Sequence, residues 1–159
     1  MSDFQLTYAT MFDPPEELHT RYEEALDEVK ANLGQDKGMI IDGEEVFAER
    51  SFEVKNPAHK DQVLASFPTG TAEHADQAIS AAKAAFPEWS KTSWQDRVSM
   101  LRDVADLIDE RIFKISAATT LEVGKNRMEA LGDVSEAPAL IRYACDQMEK
   151  NDGFIKKMG

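Results

Sequence analysis

The run Leu121-Glu122-Val123-Gly124-Lys125-Asn126-Arg127-Met128-Glu129-Ala130, continuing through Gly132-Asp133-Val134-Ser135-Glu136-Ala137 to Ile141-Arg142-Tyr143-Ala144-Cys145, joins an apolar helix end to a Gly-Lys turn and a second helix. The second helix begins near Asn126 and carries Met128, Leu131, Val134, Ile141 and Met148 at helical spacing, with Pro138 placed to kink or interrupt it. Upstream, Ser93 with Asp96 three residues later opens another helix. Val98, Leu101, Ala105, Ile108 and Ile112 share one stripe of it, and Ile115, Ala118 and Leu121 extend the pattern to the break at Val123-Gly124.

Further toward the N-terminus, Thr71 caps a helix that carries Ala75, Ile79, Ala82 and Phe86 and is predicted to stop where Pro87 removes a backbone donor. Before it the period changes. Met39-Ile40-Ile41 and Glu44-Glu45-Val46-Phe47 flank Asp42-Gly43, a pair suited to the positive φ angles of a tight hairpin turn. Phe52-Glu53-Val54-Lys55 and Asp61-Gln62-Val63-Leu64-Ala65-Ser66-Phe67 read as two more short strands around Asn56-Pro57-Ala58-His59. The first helix is predicted from an Asp13-Pro14-Pro15-Glu16 cap, through Leu18, Tyr22, Ala25, Leu26, Val29 and Leu33, to a left-handed stop at Gly34. The pattern is mainly α with a small antiparallel β unit: a helical arm over residues 1–37, strands over 38–70, and helices over 71–159.

A chain of 159 residues with 42% apolar and 30% charged residues has the size and composition of one soluble globular domain. The net charge of −12 and pI near 4.6 oppose a phosphate backbone, so nucleic acid is not an expected partner. No apolar run approaches the roughly 20 residues of a membrane span, so no membrane partner is expected. Met1 to Phe12 lacks a basic start and an apolar core. With a single cysteine no internal disulfide is possible, and a reducing cytoplasm is the expected location.

Few residues offer chemistry. Cys145 lies among Tyr143, Ala144 and Met148 without a neighbouring histidine, which predicts a packed helical thiol rather than a nucleophile. His19, His59 and His74 fall in separate elements without metal-ligand spacing, so no metal site is assigned. The strand-to-helix turn Pro68-Thr69-Gly70 holds one glycine and is not a phosphate-cradling loop. Asp133 and Glu136, three residues apart, share a helix face. Lys125 is expected to serve the turn.

The order of hairpin, Asn56-Pro57, Ala81-Ala82-Lys83-Ala84-Ala85-Phe86-Pro87-Glu88-Trp89, Arg97 with Leu101, and Glu122-Val123-Gly124-Lys125 resembles the start of the aldehyde dehydrogenases. Within that superfamily, residues 124–137, the helix before the hairpin and Gln147-Met148-Glu149-Lys150-Asn151-Asp152-Gly153-Phe154 are most similar to pyrroline-5-carboxylate dehydrogenases. Such enzymes oxidise L-glutamate semialdehyde to glutamate with NAD in proline breakdown. They use a cysteine thiolate, an asparagine amide, a glutamate base and an NAD cradle. The resemblance puts all four beyond residue 159.

It implies an N-terminal fragment of the α/β aldehyde dehydrogenase fold, with 71–159 as the helical part of an incomplete NAD-binding domain. No catalytic or cofactor-binding residue is assigned to this chain; NAD belongs to the full-length parent. The family match turns Glu136, and with it Asp133, toward the aldehyde tunnel, although Pro138 departs from the usual pattern. Alternatives are a stand-alone helical binding module and a subunit completing an enzyme in trans. In the resembled enzymes the helices from Thr71 to Met148 pack on a sheet supplied by later sequence. At roughly 25 cal/mol per Å², an uncovered patch of about 400 Å² leaves about 10 kcal/mol of burial unclaimed. The expected partners are therefore the missing remainder of the enzyme or a second copy meeting at Leu101, Ile108 and Ile112.

Overall fold

The computed structural model describes residues 14–156. In chain order the elements are α1 (Glu16–Lys30), β1 (Gln35–Asp36), β2 (Met39–Ile41), β3 (Glu44–Val46), β4 (Ser51–Lys55), β5 (Val63–Pro68), α2 (Ala72–Trp89), α3 (Trp94–Glu110), α4 (Ile112–Val123), α5 (Arg127–Lys150) and a 3₁₀ turn at Asp152–Phe154. The chain is mainly helical with small sheets, as the sequence patterns predict. Two compact units form: a helical unit from residues 14–30, 93–120 and 125–156, and a sheet unit from 31–92 and 121–124. This spatial grouping cuts across the sequence-order division at 37/38 and 70/71.

In the helical unit, α1 buries Leu18, Tyr22 and Ala25 against Phe113, Ala117 and Leu131, with Leu26, Val29, Ile112 and Met128 packed around them. Glu16 and Glu17 in its first turn and Lys30 in its last complement the helix dipole. The predicted cap residue Asp13 lies outside the described residues. The helix ends at Lys30, short of Leu33, because the chain turns to enter the sheet: Gly34, at φ +75°, donates its N–H to the Leu64 carbonyl at 2.9 Å.

Ser93 caps α3, accepting the Asp96 N–H at 3.1 Å while its hydroxyl donates to the Asp96 carboxylate at 2.6 Å. The predicted single helical pattern to Val123 divides at Arg111, whose backbone at φ −102° and ψ 13° leaves the helical region. The predicted stripe is also partly rotated. Val98 and Ala105 are buried, whereas Leu101 is exposed. The inner face of α3 meets α5, where the Cys145 thiol points to the Val98 carbonyl at 3.8 Å.

Ion pairs along the edge fix α3 and α5 as antiparallel neighbours. Arg102 bonds Asp146 at 2.7 Å and Glu149 at 2.8 Å, while Arg142 bonds Asp106 and Asp109, each at 2.6 Å. The bonds to these carboxylates, Asp146 foremost for Arg102 and Asp106 for Arg142, raise both guanidinium pKa values above their ordinary level. Its placement predicts that Pro138 kinks or interrupts α5, but the helix runs unbroken through it and the proline is buried. Burial of its ring offsets part of the cost of the missing N–H.

In the sheet unit, β2 and β3 pair antiparallel through Met39↔Val46 and Ile41↔Glu44. The turn between them places Asp42 at φ +54° and Gly43 at φ +79°, the conformation the Asp-Gly pair predicts. β4 and β5 pair antiparallel with Phe52 opposite Phe67, their rings 6.0 Å apart. The predicted antiparallel unit needs one correction: β1 adds a parallel edge to β5, with Gln35 opposite Ala65. Two exposed polar residues carry no strand pattern; backbone pairing alone defines them.

Buried Asn56 holds the β4–β5 connection. Its amide donates to Gln62 Oε1 at 2.8 Å and its side-chain oxygen accepts the Ala58 N–H at 2.9 Å. Thr71 caps α2 in a reciprocal arrangement, accepting the His74 N–H while its own N–H donates to His74 Nδ1 at 3.1 Å. α2 runs past Pro87 to Trp89, contrary to the predicted stop. Near the C-terminal end the proline costs one donor only, and the Ser90 N–H still reaches the Phe86 carbonyl at 2.8 Å.

Candidate functional site

The candidate residues lie where α4 ends and α5 begins. Gly124 sits at φ +77°, and a Cβ there would lie 3.1 Å from Pro57 Cγ, so backbone conformation and space both select glycine. Asn126 then caps α5, its side-chain oxygen accepting the Glu129 N–H at 3.0 Å. With the helix started there, Asp133 comes within ion-pair contact of Lys125. That bond is the main cause of a raised Lys125 pKa; the fields of Glu129 and Glu136 add to it, and desolvation opposes it. The ammonium is held in its charged form.

Asp133 and Glu136 are both exposed and three residues apart on α5. The structure joins Lys125 to Asp133 and leaves Glu136 facing solvent as a carboxylate within the field of Lys125. An exposed carboxylate pair with one ammonium can attract and orient a cationic or hydrogen-bond-donating group. It carries no nucleophile. Cys145 is 1% exposed, packed two turns beyond Pro138.

Arg127 forms a network that the sequence patterns do not reveal. Its guanidinium lies 4.6 Å from the Tyr22 ring centroid, pairs with Glu23 and approaches His19 Nδ1 at 2.6 Å. A guanidinium only donates, so His19 Nδ1 must be the accepting nitrogen. Tyr22 in turn donates its hydroxyl to Thr120 Oγ1 at 2.5 Å. These partners lie 98 to 108 residues apart in sequence, and no local spacing signals them. The network anchors the first turn of α5, and with it Asp133 and Glu136, to α1.

The other predicted residues scatter. His59 lies in the β4–β5 connection, where its N–H bonds the Asn56 carbonyl at 3.2 Å, and His74 serves the α2 cap. Among the described residues no three His, Cys, Asp or Glu side chains gather as metal ligands. A cavity of about 600 Å³ is lined by Arg21, Arg111 and Lys114 against Glu24, Glu28 and Glu110, a balance that selects neither sign of ligand. No helix among the described residues is long and apolar enough to cross a membrane.

Comparison with known proteins gives a consistent result. The family model described as the aldehyde dehydrogenase family matches residues 44–158. The 1-pyrroline-5-carboxylate dehydrogenase of Staphylococcus epidermidis is 38% identical over 134 residues, covering 84% of this chain and 26% of the relative. A Bacillus subtilis protein, 1-pyrroline-5-carboxylate dehydrogenase 2, is 37% identical over 127 residues, covering 80% and 25%. The chain thus spans about a quarter of the length of these curated relatives. Among solved structures, 1-pyrroline-5-carboxylate dehydrogenase from Thermus with bound NAD superposes with a TM-score of 0.85 at 26% identity, covering 100% of this chain and 31% of that one. The family match, which extends over most of the residues, and the shared backbone agree: this chain belongs to the aldehyde dehydrogenase family.

Proposed function

We propose that the chain forms the N-terminal part of an NAD-dependent 1-pyrroline-5-carboxylate dehydrogenase, which oxidises L-glutamate semialdehyde to glutamate. The observation that carries this reading is the 38% identity over 134 residues to a relative of that name. Glu136 faces the aldehyde tunnel of the assembled enzyme, and Asp133, tied to Lys125, holds the turn beneath it. The NAD cradle and the reacting thiol come from sequence that follows the matched segment. A cytoplasmic location goes with this reading, since the one cysteine needs no oxidising compartment.

The chain by itself is inactive on this reading. Purified protein supplied with NAD and glutamate semialdehyde is expected to give no NADH above a blank. Turnover that survives Cys145→Ala would refute the reading, because a complete active site would then exist within 159 residues. The same protein joined in frame to the part of the S. epidermidis relative that follows its matched segment is expected to reduce NAD. The exposed Leu101 is where a second copy would seat most readily; Ile108 and Ile112 are half-buried, and Ile112 packs on its own core.

A further inference from the structure

The cavity of about 600 Å³ lies within the helical unit, between α1 and the corner where α3 passes into α4. Arg21, Glu24, Ala25 and Glu28 recur at three- and four-residue spacing and so share one face of α1. The corner brings Glu110, Arg111 and Lys114 to the same space, together with Phe113. Ala25 and Phe113 are buried and form its apolar part. Lys114 closes one ion pair across the cavity, with Glu28. Among the described residues no ion pair engages the other charged groups of the lining. Arg21 rests instead on the Phe113 ring, its Cζ 4.4 Å from the centroid. The guanidinium groups of Arg21 and Arg111 and the carboxylates of Glu24 and Glu110 thus line one space without being committed to each other.

We propose that this cavity is a binding site for a free α-amino acid with an uncharged side chain. A lone anion would gain from Arg21 and Arg111 but meet the field of Glu24 and Glu110, and a lone cation would meet the reverse. A zwitterion gains from both sets. Its carboxylate accepts charge-assisted hydrogen bonds from guanidinium groups that only donate, while its ammonium donates to the carboxylates. Lys114 and Glu28 already neutralise each other, so a further charge on the ligand's side chain would find no partner of its own. An apolar side chain has Ala25 and Phe113 to lie against, and the volume falls within the ordinary range of small-molecule sites. Because Arg21 and Glu24 belong to α1 and Glu110 and Arg111 to the α3–α4 corner, the bound amino acid bridges the two. It thereby adds to the packing of Leu18, Tyr22 and Ala25 on Phe113 and Ala117. The site shares no residue with the group at Lys125, Asp133 and Glu136, and it needs no part of the proposed function.

L-Leucine is the probe, and two molecules that each lack one of its charges are the controls: 4-methylpentanoate keeps the carboxylate and 3-methylbutylamine keeps the ammonium. Titrated to about 50 mM into the full chain at neutral pH, leucine should bind with a dissociation constant in roughly the millimolar range, as exposed charges allow. The binding should appear as saturable shifts of the backbone amide resonances of residues 21–28 and 110–114. Each half-molecule should bind at least about tenfold more weakly. By linkage, leucine should raise the thermal midpoint of the chain and the half-molecules should not. Arg21→Gln with Arg111→Gln should weaken leucine binding by about tenfold or more, whereas Lys55→Gln in the sheet unit should leave it unchanged. A half-molecule that saturates the chain with leucine's affinity overturns the proposal, since one sign of charge would then suffice. Leucine that fails to saturate overturns it too, as does binding that the double arginine variant leaves intact. The ligand series on the native chain decides the matter even where a variant does not fold.

Discussion

The helical unit and the sheet unit solve the problem of stability in different ways. The helical unit buries Leu18, Tyr22, Leu131, Ala105, Ala117, Ala130 and Cys145 to 2% exposure or less, and fastens its helices with Arg102, Arg142 and Arg127. The sheet unit has strand ladders, a buried asparagine turn and helix caps, but Leu64 and Leu121 are the apolar residues it buries. Ile40, Phe47, Phe52, Ile79 and Phe86 all stand at least half exposed. Burial is the main favourable term in folding, whereas backbone hydrogen bonds contribute little net once water competes for them. One unit is therefore held by packing. The other is held by backbone geometry, with its apolar surface directed outward.

This contrast is broken most directly by removing side chains. Leu131→Ala deletes a core residue that is 1% exposed and is expected to cost about 2–5 kcal/mol. Phe86→Ala removes a larger side chain that is 63% exposed and should change stability by no more than about 0.5 kcal/mol. Urea unfolding of both variants, followed by circular dichroism, reads the difference. Equal losses would mean that the Phe86 side chain is packed within the chain and that the two units do not differ as described.

A second, smaller effect comes from the turns. Gly124 and Gly34 both have positive φ angles, at +77° and +75°. A Cβ at Gly34 meets nothing within 4 Å, whereas one at Gly124 meets Pro57 at 3.1 Å. Gly34→Ala should therefore cost the left-handed backbone term alone, about 1 kcal/mol. Gly124→Ala should cost more, about 1–3 kcal/mol, because the Pro57 ring must also yield. If the two cost the same, the Asn56-Pro57 connection gives way freely and geometry does not hold the sheet unit.

The readable parts of this fold were those set by local chemistry. Asp42-Gly43 predicts its own turn, Thr71 and Ser93 predict their helix starts, and the Gly124 break follows from a single residue type. What local chemistry does not encode is the partner of an apolar stripe. Leu101 sits in a valid helical stripe, yet α5 approaches along Val98 and Ala105, and Leu101 is left in water. Pro87 and Pro138 are poor helix residues by propensity, but one sits near a helix end and the other is packed too well to break its helix. At the candidate site, helical spacing predicts that Asp133 and Glu136 share an exposed stretch of α5, and they do. The Arg127 network was not legible, since it joins residues about a hundred positions apart.

The smallest expected effect concerns Lys125, whose exposed ion pair with Asp133 adds to the cap and the Arg127 network at the start of α5. Its pKa in the folded chain is raised above the ordinary 10.5, first by the bond to Asp133. A raised value means that the folded state favours the proton, so the pair's contribution is fully present below the ordinary value and is lost as pH rises through the folded one. The difference in thermal midpoint between the native chain and Lys125→Met should therefore be constant from neutrality to mildly alkaline pH and should shrink only in strongly alkaline solution. It should be small throughout and smaller in salt, because both partners are substantially exposed, at 34% and 51%. A difference that vanished between neutral and mildly alkaline pH would require a lowered Lys125 pKa. Desolvation would then outweigh the carboxylate, and the start of α5 would be held without this ion pair, by Gly124, the Asn126 cap and the Arg127 network.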